Sequence, residues 1–147
     1  MKPEEPEYHL VRTEEELDKL TSREEAVHFF HHNMKPYEDE PADVNRALDH
    51  LFAHGGYMVL AMEDGGIQGG VAMLQTGMSG YIPETILVFI GVRPEARNQG
   101  IGGRLMERAL AEAPGDVKLH VEPDNPARRL YERQGFKHLY NEMRLKR

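Results

Sequence analysis

The stretch that most restricts what this chain can become is Val92 to Leu110, VRPEARNQGIGGRLMERAL. An apolar run, Ile86 to Ile90, ends there in a tight polar turn. From Ile101 onward, apolar residues recur at helical spacing (Ile101, Leu105, Ala109, Leu110). The pattern is a strand, a glycine turn and a helix start. Gly100, Gly102 and Gly103 let the backbone approach a ligand with no Cβ in the way. The first turn of a helix has amide hydrogens without intrahelical partners, so such a site binds an anion, most naturally a phosphate.

Spacing then decides among phosphate binders. A P-loop needs Lys followed by Ser or Thr after its second glycine, where this chain has Gly103 and Arg104. A dinucleotide fingerprint needs a third glycine, where Leu105 stands. What remains is Arg97-x-x-Gly100-x-Gly102 after a strand ending Val92-Arg93-Pro94. This resembles the acetyl-CoA motif of the GCN5-related N-acetyltransferases, and a second block, Leu119 to Phe136 (LHVEPDNPARRLYERQGF), extends the resemblance. The resemblance implies an α/β three-layer fold, a central mixed, mostly antiparallel sheet with helices on both faces. It also implies acetyl-CoA as acyl donor, no metal, and transfer to a primary amine by direct attack in a ternary complex, with a small basic amine favoured. Acetylation of a protein N-terminus or lysine, and a non-catalytic acyl-CoA-binding module, are the alternatives.

At 147 residues the chain is expected to form one domain, burying roughly 70% of its unfolded surface. It has no cysteine, which excludes disulfides, thiolate metal sites and a Cys-based acyl-enzyme. No apolar stretch reaches membrane-spanning length, and the start, MKPEEPEYHL, is acidic rather than a basic leader; a cytoplasmic protein with no membrane partner is the expectation. The net charge of −7 disfavours nucleic acid as a partner. Residues 1–90 carry 6 Lys and Arg against 17 Asp and Glu, and residues 91–147 carry 12 against 8. One reading is solvated helix faces; the other is a C-terminal half for an anionic donor and an N-terminal half facing a cationic acceptor. Homodimers are common among the proteins it resembles.

Along the chain, Tyr8 to Val11 reads as an edge strand, and Thr13 with Glu16, then Ser22 with Glu25, as capping boxes. Ala26, Phe29 and Phe30 mark one helical face; Val44, Ala47, Leu48, Leu51 and Phe52 mark a second, ended by Gly55-Gly56. A polar loop, Met34 to Pro41, separates them. Tyr57 to Met62 and Ile67 to Gln75 form a hairpin across Glu63-Asp64-Gly65-Gly66, and Thr85 to Val92 is a central strand. The helix after the glycines runs to Pro114-Gly115. Val117, Leu119 and Val121 then alternate with Lys118, His120 and Glu122 as a half-buried strand. A short helix, Ala127 to Gln134, stops at Gly135, and Phe136 to Leu145 closes the sheet. The order is strand, two helices, three strands, helix, strand, helix, strand.

The amides of Asn98, Gln99, Gly100, Ile101, Gly102 and Gly103 are expected to hold the pyrophosphate, with Arg97 and Arg104 adding charge-assisted bonds. By resemblance, backbone groups of Ile90, Gly91 and Val92 pair with the pantetheine arm and polarise the thioester carbonyl. An alkylammonium of pKa about 10.4 is neutral in only about one molecule in 2,500 at pH 7, roughly 4.6 kcal/mol, so a proton acceptor is needed. Glu84 is the expected base, directly or through water. It lies two residues before Ile86, the position at which the family's protein-lysine acetylases carry theirs. Tyr131 fits the family's Leu-Tyr-x-x-x-Gly-Phe at Leu130, Tyr131, Gly135 and Phe136, and is the expected acid for the departing thiolate. The family's Asn stands seven residues before this Tyr; here Asp124 does, and Asn125 stands six before. Either Asp124 takes the Asn place or the loop is one residue shorter with Asn125 as the pantetheine contact, which is favoured. Arg128 and Arg129 are placed to meet the 3′-phosphate or to be solvated. Glu38, Asp39 and Glu40 make an acidic acceptor wall, with His120 nearby. His28 with His32, and His50 with His54, are i,i+4 pairs lacking a His-Glu-x-x-His core, so no metal is expected.

Overall fold

The computed structural model describes residues 5–147; the first four residues of the acidic stretch MKPEEPEYHL, expected to be no leader, lie outside the described residues. Five strands form one sheet in the order β1 (Glu7–Val11), β2 (Gly56–Glu63), β3 (Gly66–Gln75), β4 (Thr85–Val92), β5 (Val117–Leu119). The first four pair antiparallel and β5 pairs parallel to β4. The β2–β3 turn is closed by two residues, Asp64 (φ 50°) and Gly65 (φ 76°). Left-handed backbone at both positions matches the right-handed twist of the flanking strands, which is why Asp-Gly stands there.

Three helices, α1 (Glu14–Leu20), α2 (Arg23–Asn33) and α3 (Pro41–His54), cover one face of the sheet. Their apolar stripes bury Leu17, Ala26, Phe29, Phe30, Val44, Leu48 and Leu51 against Met58, Leu60, Ala72 and Phe89. The opposite face carries α4 (Ile101–Glu112) and α5 (Arg128–Arg133), whose Ile101, Leu105, Met106, Ala109 and Tyr131 meet Tyr57, Val59, Val71, Met73 and Leu87. The three-layer α/β architecture expected from the sequence is the one observed.

Three local expectations are corrected. The first capping box, reciprocal between Thr13 and Glu16 at 3.1 Å each way, starts a helix of its own rather than introducing the second. Thr21 and Ser22 are extended, as the N-cap of α2 must be, so the two helices cannot run on as one; the Ser22 cap is one-sided, with Glu25 N donating to its Oγ at 3.1 Å. The fifth strand stops at Leu119 instead of continuing through Val121, because β4 departs from it beyond Leu87. Phe136 to Leu145 pairs with no strand among the described residues, so the closing strand is absent from this chain's own sheet.

Candidate active site

The site is built by a break in β4. Ala72 stands opposite Phe89 and Met73 opposite Leu87, so Val88 is an extra residue in β4. A bulge of this kind puts two successive side chains on one face. Leu87 packs toward α4, Val88 and Phe89 both toward α2, and Ile90 and Val92 toward α4 again. The bulge also ends pairing with β5: Thr85, Ile86 and Leu87 are matched by Val117, Lys118 and Leu119, and nothing from Val88 to Val92 is. The two parallel strands diverge, leaving one edge of Ile90, Gly91 and Val92 without a neighbouring strand among the described residues.

At the open end of this cleft the chain turns. A 3-10 turn at Pro94–Ala96 leads to Arg97, whose Nε donates to Val92 O at 3.2 Å. Gln99 Nε2 reaches back to Glu95 O at 3.5 Å. Asn98 (φ 64°) and Gly100 (φ 80°) are both left-handed, which reverses the chain sharply enough to aim the first turn of α4 at the cleft mouth. Among the described residues no side chain caps α4, and its first turn carries no acidic residue. The amides of Ile101, Gly102 and Gly103 therefore have neither an internal partner nor a competing carboxylate. Space around Gly100 and Gly103 is open. This donor set fits a diphosphate.

Arg104 does not join it. Its amide bonds to Gly100 O at 3.1 Å, and its guanidinium reaches Glu5 Oε1 at 3.4 Å. It lines a cavity of about 670 Å³ between β1 and α4 with Tyr8 and Arg108, away from the cleft. Tyr8 and Glu5 hold its charge and raise its pKa.

Tyr131 is buried on α5, its ring edge-on to Phe136 at 6.0 Å. Burial first, and the nearby Glu122 carboxylate second, push its hydroxyl up to about 12. It keeps its proton across the neutral range.

Glu84 stands elsewhere. Gly80 N donates to its Oε1 at 3.1 Å and Asp116 N to its Oε2 at 2.7 Å. A Cβ on Gly115 would lie 1.3 Å from that Oε2, so the carboxylate occupies the space a side chain there would need. Glu84 fastens the loop before β4 to the turn before β5, at the closed end of the strand pair. Val88, where the cleft opens, is four residues on, about 13 Å along an extended strand. The expected base is thus engaged in holding the strands together at the end where they meet.

The second block is similarly committed to its own fold. Asn125 Oδ1 accepts from Ala127 N at 2.9 Å and its Nδ2 donates to Glu122 at 3.0 Å, so its side chain shapes the turn into α5 rather than projecting as a pantetheine contact. Arg128 donates to Pro123 O at 3.0 Å and lies 3.6 Å from Glu132. His120 is exposed, beyond the end of β5.

Opposite the cleft, the Met34 to Pro41 loop comes over its mouth. The C-terminus of α2 lies against Gly91, where a Cβ would meet Asn33 O at 3.3 Å, and Tyr37 Oη donates to Asp124 O at 3.2 Å. Lost hydration, then Asp43 and Glu122, raise the Asp39 carboxyl, with Arg144 opposing. Glu38 has one buried carboxylate oxygen without a hydrogen-bond partner among the described residues. Glu40 is exposed at the start of α3. Neither Tyr37 nor Glu122 is marked by a sequence motif, and both become visible only when the two loops meet. His28 stacks on His32 at 5.5 Å, His50 and His54 meet tilted at 5.0 Å, and among the described residues no group of three potential metal ligands converges.

Residues 14–136 match the model of the acetyltransferase (GNAT) family, and the chain belongs to that family. A curated relative, the 5-NmdU N-acetyltransferase of Pseudomonas phage PaMx11, is 35% identical over 83 residues, covering 55% of this chain and 57% of the relative's own length. Among solved structures, the aminoglycoside N-acetyltransferase AAC(6')-Iy in complex with CoA shares the fold with a TM-score of 0.70 at 15% identity, covering 100% of this chain and 99% of that one. A putative acetyltransferase from Deinococcus radiodurans R1 has a TM-score of 0.63 at 27% identity, covering 95% and 88%.

Proposed function

We propose that the protein is an acetyl-CoA-dependent N-acetyltransferase acting on a primary amine, with small basic amines preferred, by direct attack in a ternary complex. The observation that carries this is the meeting of two sets of unsatisfied backbone groups: the open edge of Ile90, Gly91 and Val92, and the free amides of Ile101, Gly102 and Gly103. An extended arm ending in a diphosphate fits both at once. Acetyl-CoA supplies a thioester whose carbonyl carbon an unprotonated amine attacks, giving an amide and a free thiol.

The amides at the α4 N-terminus, with Arg97, bind the diphosphate. A backbone amide at the open edge of β4 steadies the carbonyl oxygen. Tyr131 donates a hydrogen bond to the leaving sulfur. Against an alkyl thiol of pKa about 8.5, complete transfer from a hydroxyl near 12 is uphill by roughly 4.8 kcal/mol, so the hydroxyl stabilises developing charge and the proton arrives from solvent. Glu38, Asp39 and Glu122 draw a cationic amine to the mouth, and its proton leaves through water rather than to Glu84, whose oxygens are taken.

The test is thiol release from acetyl-CoA with polyamines, aminoglycosides, peptide N-termini and lysine peptides as acceptors. Turnover highest with the small polycations is expected. CoA binding without thiol release for any amine would make the protein a binding module, and turnover confined to peptides would overturn the acceptor assignment.

A further inference from the structure

With both Glu84 oxygens engaged and no carboxylate within β4 itself, that wall of the cleft offers nothing to receive the acceptor's proton. The opposite wall does. Leu119 is the last residue of β5 matched to β4, and it stands opposite Leu87. Glu122 is three residues beyond Leu119. Three residues beyond Leu87 is Ile90, and Gly91 takes that place once the bulged Val88 is passed over. Glu122 therefore comes level with the open edge of β4, across the gap left where the strands part.

Its backbone and side chain are both held by one residue. Asn125 N donates to Glu122 O at 3.0 Å, and Asn125 Nδ2 donates to Glu122 Oε1 at 3.0 Å. The other carboxylate oxygen has no hydrogen-bond partner among the described residues, and the residue is exposed, so water reaches it. On one side, Val121 packs into the same apolar layer as Tyr131. On the other, Tyr37 of the Met34 to Pro41 loop bonds to Asp124 O. The electrostatics agree with this placement. Burial comes first for each group, but the Glu122 charge acts next on Tyr131, and after Asp124 on Tyr37, and after Asp43 on Asp39. The sheet separates these two layers, and one carboxylate reaches both only where the sheet is open.

We infer that Glu122 holds the acceptor's ammonium opposite the open edge of β4 and takes its proton, with Asn125 as the positioning residue. This rests on the acetyltransferase reading. The ammonium gives one proton to the Glu122 carboxylate, which passes it to water. The nitrogen lone pair then forms the C–N bond to the thioester carbon, and the C–S bond breaks with its electron pair on sulfur. The second proton that nitrogen loses is matched by the one the thiolate gains.

Glu122→Gln keeps an oxygen for Asn125 and removes the charge. In the variant, kcat/KM for the best amine should fall at least tenfold at pH 7, while CoA affinity by calorimetry stays within about twofold. The loss should shrink to less than about threefold at pH 10, where about three in ten alkylamine molecules are already neutral. The titratable and charged groups facing Glu122 are Tyr37 and Asp39 from the loop, Tyr131 and Arg128 from α5, and His120 and Asp124 beside it. Tyr131, pushed up to about 12, keeps its proton at pH 10. A smaller loss at pH 7, a loss that does not shrink by pH 10, or a variant that no longer binds CoA overturns the inference. Absence of thiol release by the unaltered protein with every amine is a separate result, which overturns the acetyltransferase reading and this role with it.

Discussion

Replacing Glu84 by Gln separates two roles that its place before the central strand leaves open. The carboxylate accepts from Gly80 N at 3.1 Å and Asp116 N at 2.7 Å. A carboxamide retains one acceptor oxygen and turns an NH₂ toward the second amide, so one hydrogen bond is lost and a donor faces a donor. For a partly exposed pair of this kind the cost is roughly 1–2 kcal/mol. In a chain of this size each kcal/mol corresponds to about 2–4 °C, so thermal unfolding should fall by roughly 3–6 °C. The substitution leaves the cleft from Val88 onward intact, and kcat should change by less than about threefold. A general base would behave oppositely, its loss costing on the order of 10²- to 10⁴-fold in rate with no necessary change in stability. The two readouts are calorimetry and steady-state thiol release on the same preparation. A hundredfold drop in kcat at an unchanged melting temperature would refute the fastening role and restore Glu84 as the base.

Tyr131→Phe should lower kcat by about 10- to 150-fold, the value of one hydrogen bond to a charged group. Because its hydroxyl is pushed up to about 12, the rate profile of the unaltered enzyme should show no fall between pH 8 and pH 10.5 that the substitution removes; such a fall, seen by initial rates, would contradict the buried, protonated phenol. Asp39 has a folded pKa raised above its unfolded value, so the folded state binds the proton more tightly and stability falls as pH rises through that folded value. Asp39→Asn should therefore raise the melting temperature at pH 7, with the gain vanishing below the ordinary carboxylate range; equal gains at pH 3 and pH 7 would count against it. At Gly102 a Cβ would meet Leu130 and Val92 at 3.6 and 3.9 Å, ordinary contacts, so Gly102→Glu should fold normally yet weaken CoA binding tenfold or more by calorimetry, through charge repulsion of the phosphates.

The layers of the fold were legible wherever one residue type has one use. The Thr13–Glu16 capping box, Asp-Gly in the hairpin and the apolar stripe of α3 each have a single local cause, and each sits where the sequence places it. The glycine turn into α4 was equally plain, since phosphate spacing is a property of a few adjacent residues. What could not be read depends on neighbours distant in sequence. An all-apolar β4 gives no sign of which residue is the extra one, because Val88 fits either face. The Asp124 and Asn125 alternative stayed open because the same side chain serves to shape a turn or to meet a ligand. Glu84 showed its role only once Gly80 and Asp116, on different loops, were brought to it. The alternation in Phe136 to Leu145 reads as a closing strand, yet the segment is in no strand among the described residues, because alternation marks a face and does not supply the neighbour a strand must pair with.

The extra residue in β4 is taken up at one point, where Val88 and Phe89 share a face, and the strand beyond it stays in register with β3. Gly91 there faces α2, and the end of that helix approaches to within 3.3 Å of the space a Cβ would fill. Deleting Val88 would leave Leu87, Phe89, Ile90, Gly91 and Val92 in plain alternation on the faces they already occupy and in unbroken register with β3. What the deletion would remove is the break after which β4 and β5 part, so it should spare the packed layers and cost the cleft, which exists because this strand is one residue longer than its neighbour.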